Sequence, residues 1–535
     1  MALMPVCTHL SAHLSRWRGK EAGSYAWRIL AAAAVGALAL IVSPVSAHAF
    51  GQRYDLPIPL NYFLVGAVAT VFLSFVLIGL FVQRRSEKFS YPRLDLLRAS
   101  LKLDMQIGAV MSSQILAVVI RAVSALTLLL LLVVGFFGTD RAIENLSPTF
   151  IWIIWWVGMG YVVALVGNVW VFINPWKITF EWYRRLRGFF VKSDEPEDPP
   201  FNYPQGLDIW PALLLFFLFA WAENVYTGAF RPFTLSVMAL MYSIVTWVGM
   251  AAFGKHTWLR NGEAFTVLFG FFSRFSPTEL RVTNRGVCRD CASDCRLEAE
   301  CVDCYDCYEY ATAGDRQLNL RPFAVGLALQ QRVSVATAAF VVLALATVSF
   351  DGFQDTETWA NLRANMLSFA TSDVVDTVAL ALAPALFAVV YLAFAWAIKT
   401  LSREEAGALE VASVYVFSLV PIALAYNLAH FITLLLIQGQ LIVPLASDPF
   451  GFGWNIFGTA DYRLNLNIIG AKAVWFISLI AIVLGHVISV YLAHVISQRR
   501  SSSAADALRG QIPMLALMII YTATSLWIIA QPIVG

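Results

Sequence analysis

The sequence predicts an all-α protein, a polytopic transmembrane helix bundle of about ten spans with a small cytoplasmic Cys-rich insertion. Three observations carry this expectation. Of 535 residues, 59% are hydrophobic and only 13% are charged, about half the charged share of a soluble domain. Mean hydropathy is +0.68. The apolar residues also gather into runs of roughly 20, the length that a 30 Å hydrocarbon core demands of a helix. A net charge of +2 without a basic tail gives no sign of nucleic-acid binding, so the lipid bilayer is the partner that composition implies.

The chain begins with a targeting pattern. Arg16, Arg18, Lys20 and Arg28 precede the run ILAAAAVGALALIV, and Ala47-His48-Ala49 has the small-x-small form of a cleavage site. Residues 1–49 therefore read as a signal peptide or an N-terminal signal anchor. Spans are expected near residues 60–82, 117–138, 149–173, 209–228, 233–253, 332–350, 377–398, 411–437, 468–496 and 512–533. Residues 50–253 form the first half of the bundle, 254–331 a cytoplasmic segment and 332–535 the second half.

Basic residues set the expected orientation. The loop after the first span holds Arg84, Arg85, Lys88, Arg93, Arg98 and Lys102. Lys177, Arg184, Arg185, Arg187 and Lys192 follow the third, and Arg499, Arg500 and Arg509 the ninth. Loops on the other side hold single arginines, such as Arg141, Arg231 and Arg363. Odd-numbered loops are thus expected in the cytoplasm and the mature N-terminus outside. Within the longest cytoplasmic segment, EAFTVLFGFFSRF at 263–275 is apolar but half a membrane long, as in an interfacial or re-entrant helix.

Cysteine usage is local. Cys7 stands alone, while Cys288, Cys291, Cys295, Cys301, Cys304 and Cys307 fall within twenty residues. Thiolates two residues apart can grip one soft ion, so six of them fit zinc or an iron–sulfur cluster. A reducing cytoplasm argues against three disulfides, the remaining alternative.

Ionisable side chains inside lipid are costly and point to function. At 1.5 Å per residue, His430 lies near the outer end of the eighth span. Glu223, Asp351 and Asp448 fall at the same level, as do Asn224, Gln438 and Gln440. His430, Glu223, Asp351 and Asp448 are therefore the candidate catalytic residues. Such a set can hold a divalent metal that activates water, or act as acid and base without one. Asp448 and the two glutamines also read as helix-end caps. His486 and His494 are candidate cofactor ligands, but eight residues place them roughly 12 Å apart along one helix, too far for one metal.

Several stretches carry a resemblance. YDLPIP (54–59), LSPTFIWIIWWVGMG (146–160), GNVWVFINPW (167–176) and GEAFTVLFGFFSRFSP (262–277) resemble a family of bacterial multi-pass proteins labelled fenitrothion hydrolase. SFDGF (349–353), VPIALAYNLAHFITLLLIQGQ (420–440), LASDPFGFGWNIFGTA (445–460) and GHVISVYLAH (485–494) continue it in order along the mature chain. The resemblance implies a bacterial inner-membrane protein that hydrolyses an organophosphorus triester, a small apolar substrate. It assigns no catalytic residues, and the cysteine segment is not part of the family pattern. Two rival functions stand beside it. One is a redox protein with an iron–sulfur cluster at the cysteines, and the other a transporter using Glu223 and His430 as a relay.

Overall fold

The computed structural model describes residues 54–82, 91–97, 114–190, 199–284, 286–287, 296–297, 300–329, 333–501 and 503–532. The expected signal segment and Cys288, Cys291 and Cys295 lie outside these residues.

Among the described residues, ten helices are long and apolar enough to cross a membrane, which makes the chain a multi-pass membrane protein built as a helix bundle. The first half contains α1 (Leu60–Phe81), α2 (Gln114–Phe137), α3 (Leu146–Leu165), α4 (Pro175–Phe190), α5 (Trp210–Asn224) and α6 (Pro232–Phe253). Of these, α4 is amphipathic and is not a span. Proline is the second residue of α5 and the first of α6, where its missing N–H costs no hydrogen bond. The third span was expected to run to 173 but stops at Leu165, because the chain turns at Gly167 with φ +151°. A Cβ there would sit 2.0 Å from Thr278 Oγ1, so only glycine fits.

Two short helices, α7 (Lys255–Asn261) and α8 (Ala264–Ser273), lead into a small sheet. The Glu263 carboxylate caps α8 by accepting from the backbone N–H of Phe265 and Thr266, which satisfies two of the helix's orphan donors. This half-length helix is packed inside the bundle. Phe265, Leu268 and Phe269 are at most 2% exposed, and α8 packs against α3, α5 and the eighth span.

The cysteine segment is more than a loop. Strands β1 (Leu94–Asp95), β2 (Thr278–Val282), β3 (Arg296–Leu297), β4 (Glu300–Val302) and β5 (Arg316–Leu320) form one sheet in the order β1-β5-β2-β4-β3, antiparallel throughout. A helix, α9 (Tyr305–Tyr310), carries Cys307. The edge strand β1 comes from between α1 and α2, so the module is not confined to 254–331.

The second half adds α10 (Val335–Gln354), α11 (Ser372–Ser402), α12 (Ala408–Ser447), α13 (Ala471–Arg500) and α14 (Ala504–Ala530). Ser334 and Ser503 cap α10 and α14 with their hydroxyls. The eighth span, α12, is the most enclosed of the ten, and it lies against α10, α13 and α14. Tyr426 and Asn427 on it are buried against these neighbours.

Candidate functional site

Three of the four candidate catalytic residues converge. The end of α5 supplies Glu223, the end of α10 supplies Asp351 and α12 supplies His430. His430 Nε2 lies 2.9 Å from Asp351 Oδ2. The Trp156 indole N–H donates to Glu223 Oε1 at 2.7 Å, and Glu223 and Asp351 interact electrostatically. One cavity is lined by both carboxylates together with Asn224, Asn427 and the apolar Phe216, Leu268, Phe272 and Phe431. Its free volume of ≈ 20 Å³ is enough for one ordered water.

Local structure explains how Trp156 reaches this site. Residues Thr149–Val157 of α3 are wound as a π-helix, a form often found at functional sites. Trp152 and Trp156 both turn inward there, the former donating to the Ala229 carbonyl at 3.2 Å. On α12, Tyr426 and His430 are one turn apart with ring centroids separated by 6.2 Å, and Phe431 closes on the imidazole at 4.6 Å.

Two further polar residues belong to the cluster. Asp355, one turn beyond Asp351, interacts electrostatically with both His430 and Asp351. Burial and the neighbouring Asp351, countered in part by His430, hold its carboxyl above the ordinary carboxylate range. The Tyr426 hydroxyl is fully buried and has no hydrogen-bond partner among the described residues. No lysine or arginine among them pairs with Glu223, Asp351 or Asp355. Asp351 thus bonds the one histidine, with Asp355 and Glu223 close enough to Asp351 to interact with it.

Asp448 does not join them. Its carboxylate accepts from the backbone N–H of Phe452 and Gly453 and so shapes the loop after α12. Gln440 binds the same loop through Tyr462 and Asn465. Nor do the site's donors form a ready metal centre: among the described residues, no group of three His, Cys, Asp or Glu is placed to hold a metal ion.

The other two histidines lie apart from each other, as their spacing requires. His494 is a tie between helices: Nδ1 meets Gln511 Oε1 at 2.7 Å and Nε2 meets the Val82 carbonyl at 2.8 Å. His486 donates from Nδ1 to the Ile482 carbonyl at 2.8 Å, while its Nε2 has no partner among the described residues. A buried acceptor left in this way costs about 1–3 kcal/mol. His486 is therefore not a group that packing alone accounts for.

At the opposite end of the bundle, Cys301 and Cys307 are buried with α9 against β2, their sulfurs 3.7 Å apart. Cys301 is disulfide-bonded and in that form is not a thiolate ligand. Charges around the module are matched. Arg321 binds Glu279 at 3.1 Å and Asp303 at 2.9 Å with no exposure of its own side chain, and Arg281 pairs with Glu279 and Glu300. Lys177 and Lys255 hold Glu309, and His256 holds Asp306. Burial would raise the Glu309 carboxyl, but the two lysines outweigh it and bring it down to about 2. Asp306 is likewise lowered, against its burial, by His256.

The fold and site together define a polytopic membrane protein with a His–carboxylate centre among its helices. No family model matches the chain, and no curated protein or solved structure matches it either.

Proposed function

We propose that the chain is a membrane-embedded hydrolase whose centre works by acid–base chemistry on a lipophilic ester. The supporting observation is the 2.9 Å pair of His430 with Asp351, beside Glu223, on a cavity sized for one water. Asp351 faces the cavity and takes a proton from that water, while His430 bonds its other side and stabilises the charge. The oxygen attacks the ester centre, and Glu223, oriented by Trp156, returns a proton to the leaving oxygen. Proton count is conserved, since one is taken by Asp351 and one given by Glu223.

The resemblance to the fenitrothion hydrolase family names the substrate class, an organophosphorus triester that loses an aryl oxide. The apolar part of the lining suits a substrate that partitions into lipid. A triester is far larger than one water, so turnover requires that lining to part. The basic loops support an orientation with the site toward the outside and the cysteine module toward the cytoplasm, and the resemblance supports a bacterial inner membrane. Zinc or an iron–sulfur cluster at the cysteines requires their thiolate forms, which metal analysis of reduced, purified protein checks. A divalent metal in the cavity is checked by the same measurement.

A second reading, a proton or ion relay in a transporter, is favoured by the three carboxylates without a cationic partner. The two readings separate on one pair of assays, aryl oxide release and substrate accumulation in proteoliposomes. For hydrolysis, Asp351→Asn is expected to lower kcat by about a hundredfold or more, and His430→Ala by less. Hydrolysis at the wild-type rate by Asp351→Asn membranes would sink the assignment.

A further inference from the structure

The C-terminal half of α4 leaves the bundle carrying an apolar face. Its first half is held in the fold, where Trp176, Ile178 and Phe180 are buried and the helix packs on α2 and α6. From Trp182 to Phe190 every residue is exposed. Five of them are large and apolar: Trp182, Tyr183, Leu186, Phe189 and Phe190, the last two being 83% and 81% exposed. Arg184, Arg185 and Arg187 stand among them. At about 100° per residue, the five apolar side chains fall in one arc of roughly 120°. Arg185 and Arg187 lie at the two margins of that arc, and Arg184 lies opposite it. Arg184 and Arg187 also interact with other groups of the chain. A contiguous apolar surface left exposed in this way marks a contact with a membrane or a protein.

The level of α4 along the bundle decides between these. Glu181, just before the exposed stretch, is ion-paired with Arg121 of α2 and, at 2.8 Å, with Lys255 of α7. Arg121 lies about 10 Å along α2 from Gln114, at 1.5 Å per residue. α2 is one of the spans, and around Arg121 it turns Ile115, Val118, Val119 and Val123 outward, each at least half exposed. Outward apolar side chains of a span face lipid. The exposed part of α4 therefore begins at the level where α2 meets the bilayer, and its apolar arc continues that lipid-facing surface. A helix with aromatic and aliphatic residues on one face and arginines along the edges is the form that lies in the plane of the membrane interface. Aromatic rings favour the headgroup level, and the guanidinium fork fits phosphate oxygens.

We propose that residues 182–190 of α4 lie in the headgroup layer of the membrane and bind anionic phospholipid. Arg185 and Arg187 reach lipid phosphates, and Phe189 and Phe190 enter the boundary of the acyl chains. The site is separate from the His430–Asp351 centre and does not depend on the chemistry proposed there. With the orientation proposed above, the leaflet is the cytoplasmic one, whose anionic lipids attract basic segments.

The test is hydrogen–deuterium exchange of the full chain in lipid nanodiscs, read on the peptide that covers 182–190. Discs of phosphatidylcholine alone are compared with discs that also contain phosphatidylglycerol. In wild type, exchange is expected to be about fivefold slower or more in the anionic discs, the contribution of one basic side chain at such a surface. Arg185→Gln/Arg187→Gln is expected to lose that difference. Arg231→Gln, an exposed arginine at the start of α6, is expected to keep it. Phe189→Ser/Phe190→Ser should exchange faster than wild type in both kinds of disc. Peptides from α3 show whether each variant keeps its fold, and all the substituted side chains are exposed. Equal exchange of the wild type in the two discs overturns the proposal. So does protection that appears only in discs holding two copies of the chain, which assigns the face to a second copy.

Discussion

The two ends of the bundle bury charge in opposite ways. Around the sheet, Arg321 and Arg281 are set among Glu279, Asp303 and Glu300, and every buried carboxylate has a cationic neighbour. At the other end, Asp351 and Asp355 share the single His430, and Glu223 has only Asp351 as a charged neighbour. Arg321 and Glu279 in the first cluster are shielded from water, and Glu223 and His430 in the second largely so, so both clusters incurred a desolvation penalty on folding. Only the first recovers it within the folded chain. A buried excess of carboxylates has to be settled by protons or a ligand, which is why such clusters mark functional sites. The comparison teaches that burial of charge by itself says little, whereas burial of unmatched charge says a good deal.

Removing one member from each cluster is the sharpest way to break this contrast. Arg321→Met leaves Asp303 without its cation and Glu279 with Arg281 alone, and breaking a buried pair in this way costs about 3–5 kcal/mol. A marked fall in the thermal midpoint, with early proteolysis of the sheet, is the expected result. Glu223→Gln at the other end removes a carboxylate that has no cationic neighbour and keeps an acceptor for Trp156. That variant is expected to be as stable as wild type or more stable by about 1 kcal/mol, while losing activity. If both substitutions destabilise equally, the two clusters are alike and the contrast collapses.

The smallest effect concerns how the module is held to the bundle. Glu309 and Asp306 have carboxyls lowered by Lys177, Lys255 and His256. A depressed carboxyl adds stability that is complete above its unfolded range and lost as pH falls through its folded value. Docking of α9 should therefore weaken as pH drops from about 4.5 toward about 2, and Glu309→Gln should remove part of that response. Limited proteolysis of the segment after α8 at pH 5 and pH 3 measures it. These pairs are partly exposed, so raised salt should weaken the same docking at neutral pH.

Particular residues show how far the chain could be read without coordinates. Spans were legible because lipid demands length and apolarity of each helix separately, and those are local properties. Even the meeting of Asp351 with His430 was within reach, since alternating span direction fixes depth. Asp355 was missed although it follows Asp351 by one helical turn, a spacing that could have revealed it. Trp156 could not have been found, because in IWIIWWV no pattern distinguishes the inward indole, and a π-helical turn decides it. Asp448 misled because a carboxylate that braces its own loop looks, in sequence, like one that faces a site.

The sheet was hidden for a related reason. Its strands are two to five residues long, and β2 buries Glu279 and Arg281 as well as Leu280 and Val282. A polar–apolar alternation only four residues long, with charge pairs on one of its buried faces, is too short a run to stand out as a strand.

By itself the sequence determined a multi-pass bundle, the number of its spans and the level at which polar residues gather along them. Each of these follows from the free energy of one segment in lipid. Tertiary structure alone decided which of those polar residues touch. It set Glu223 and Asp351 on one cavity with His430 and Asp355 beside Asp351, turned Trp156 toward Glu223 and left Asp448 in its loop. It also set His486 against Tyr521. Contacts of this kind depend on the rotation and crossing of neighbouring helices. Those are fixed by side-chain packing between segments distant in sequence.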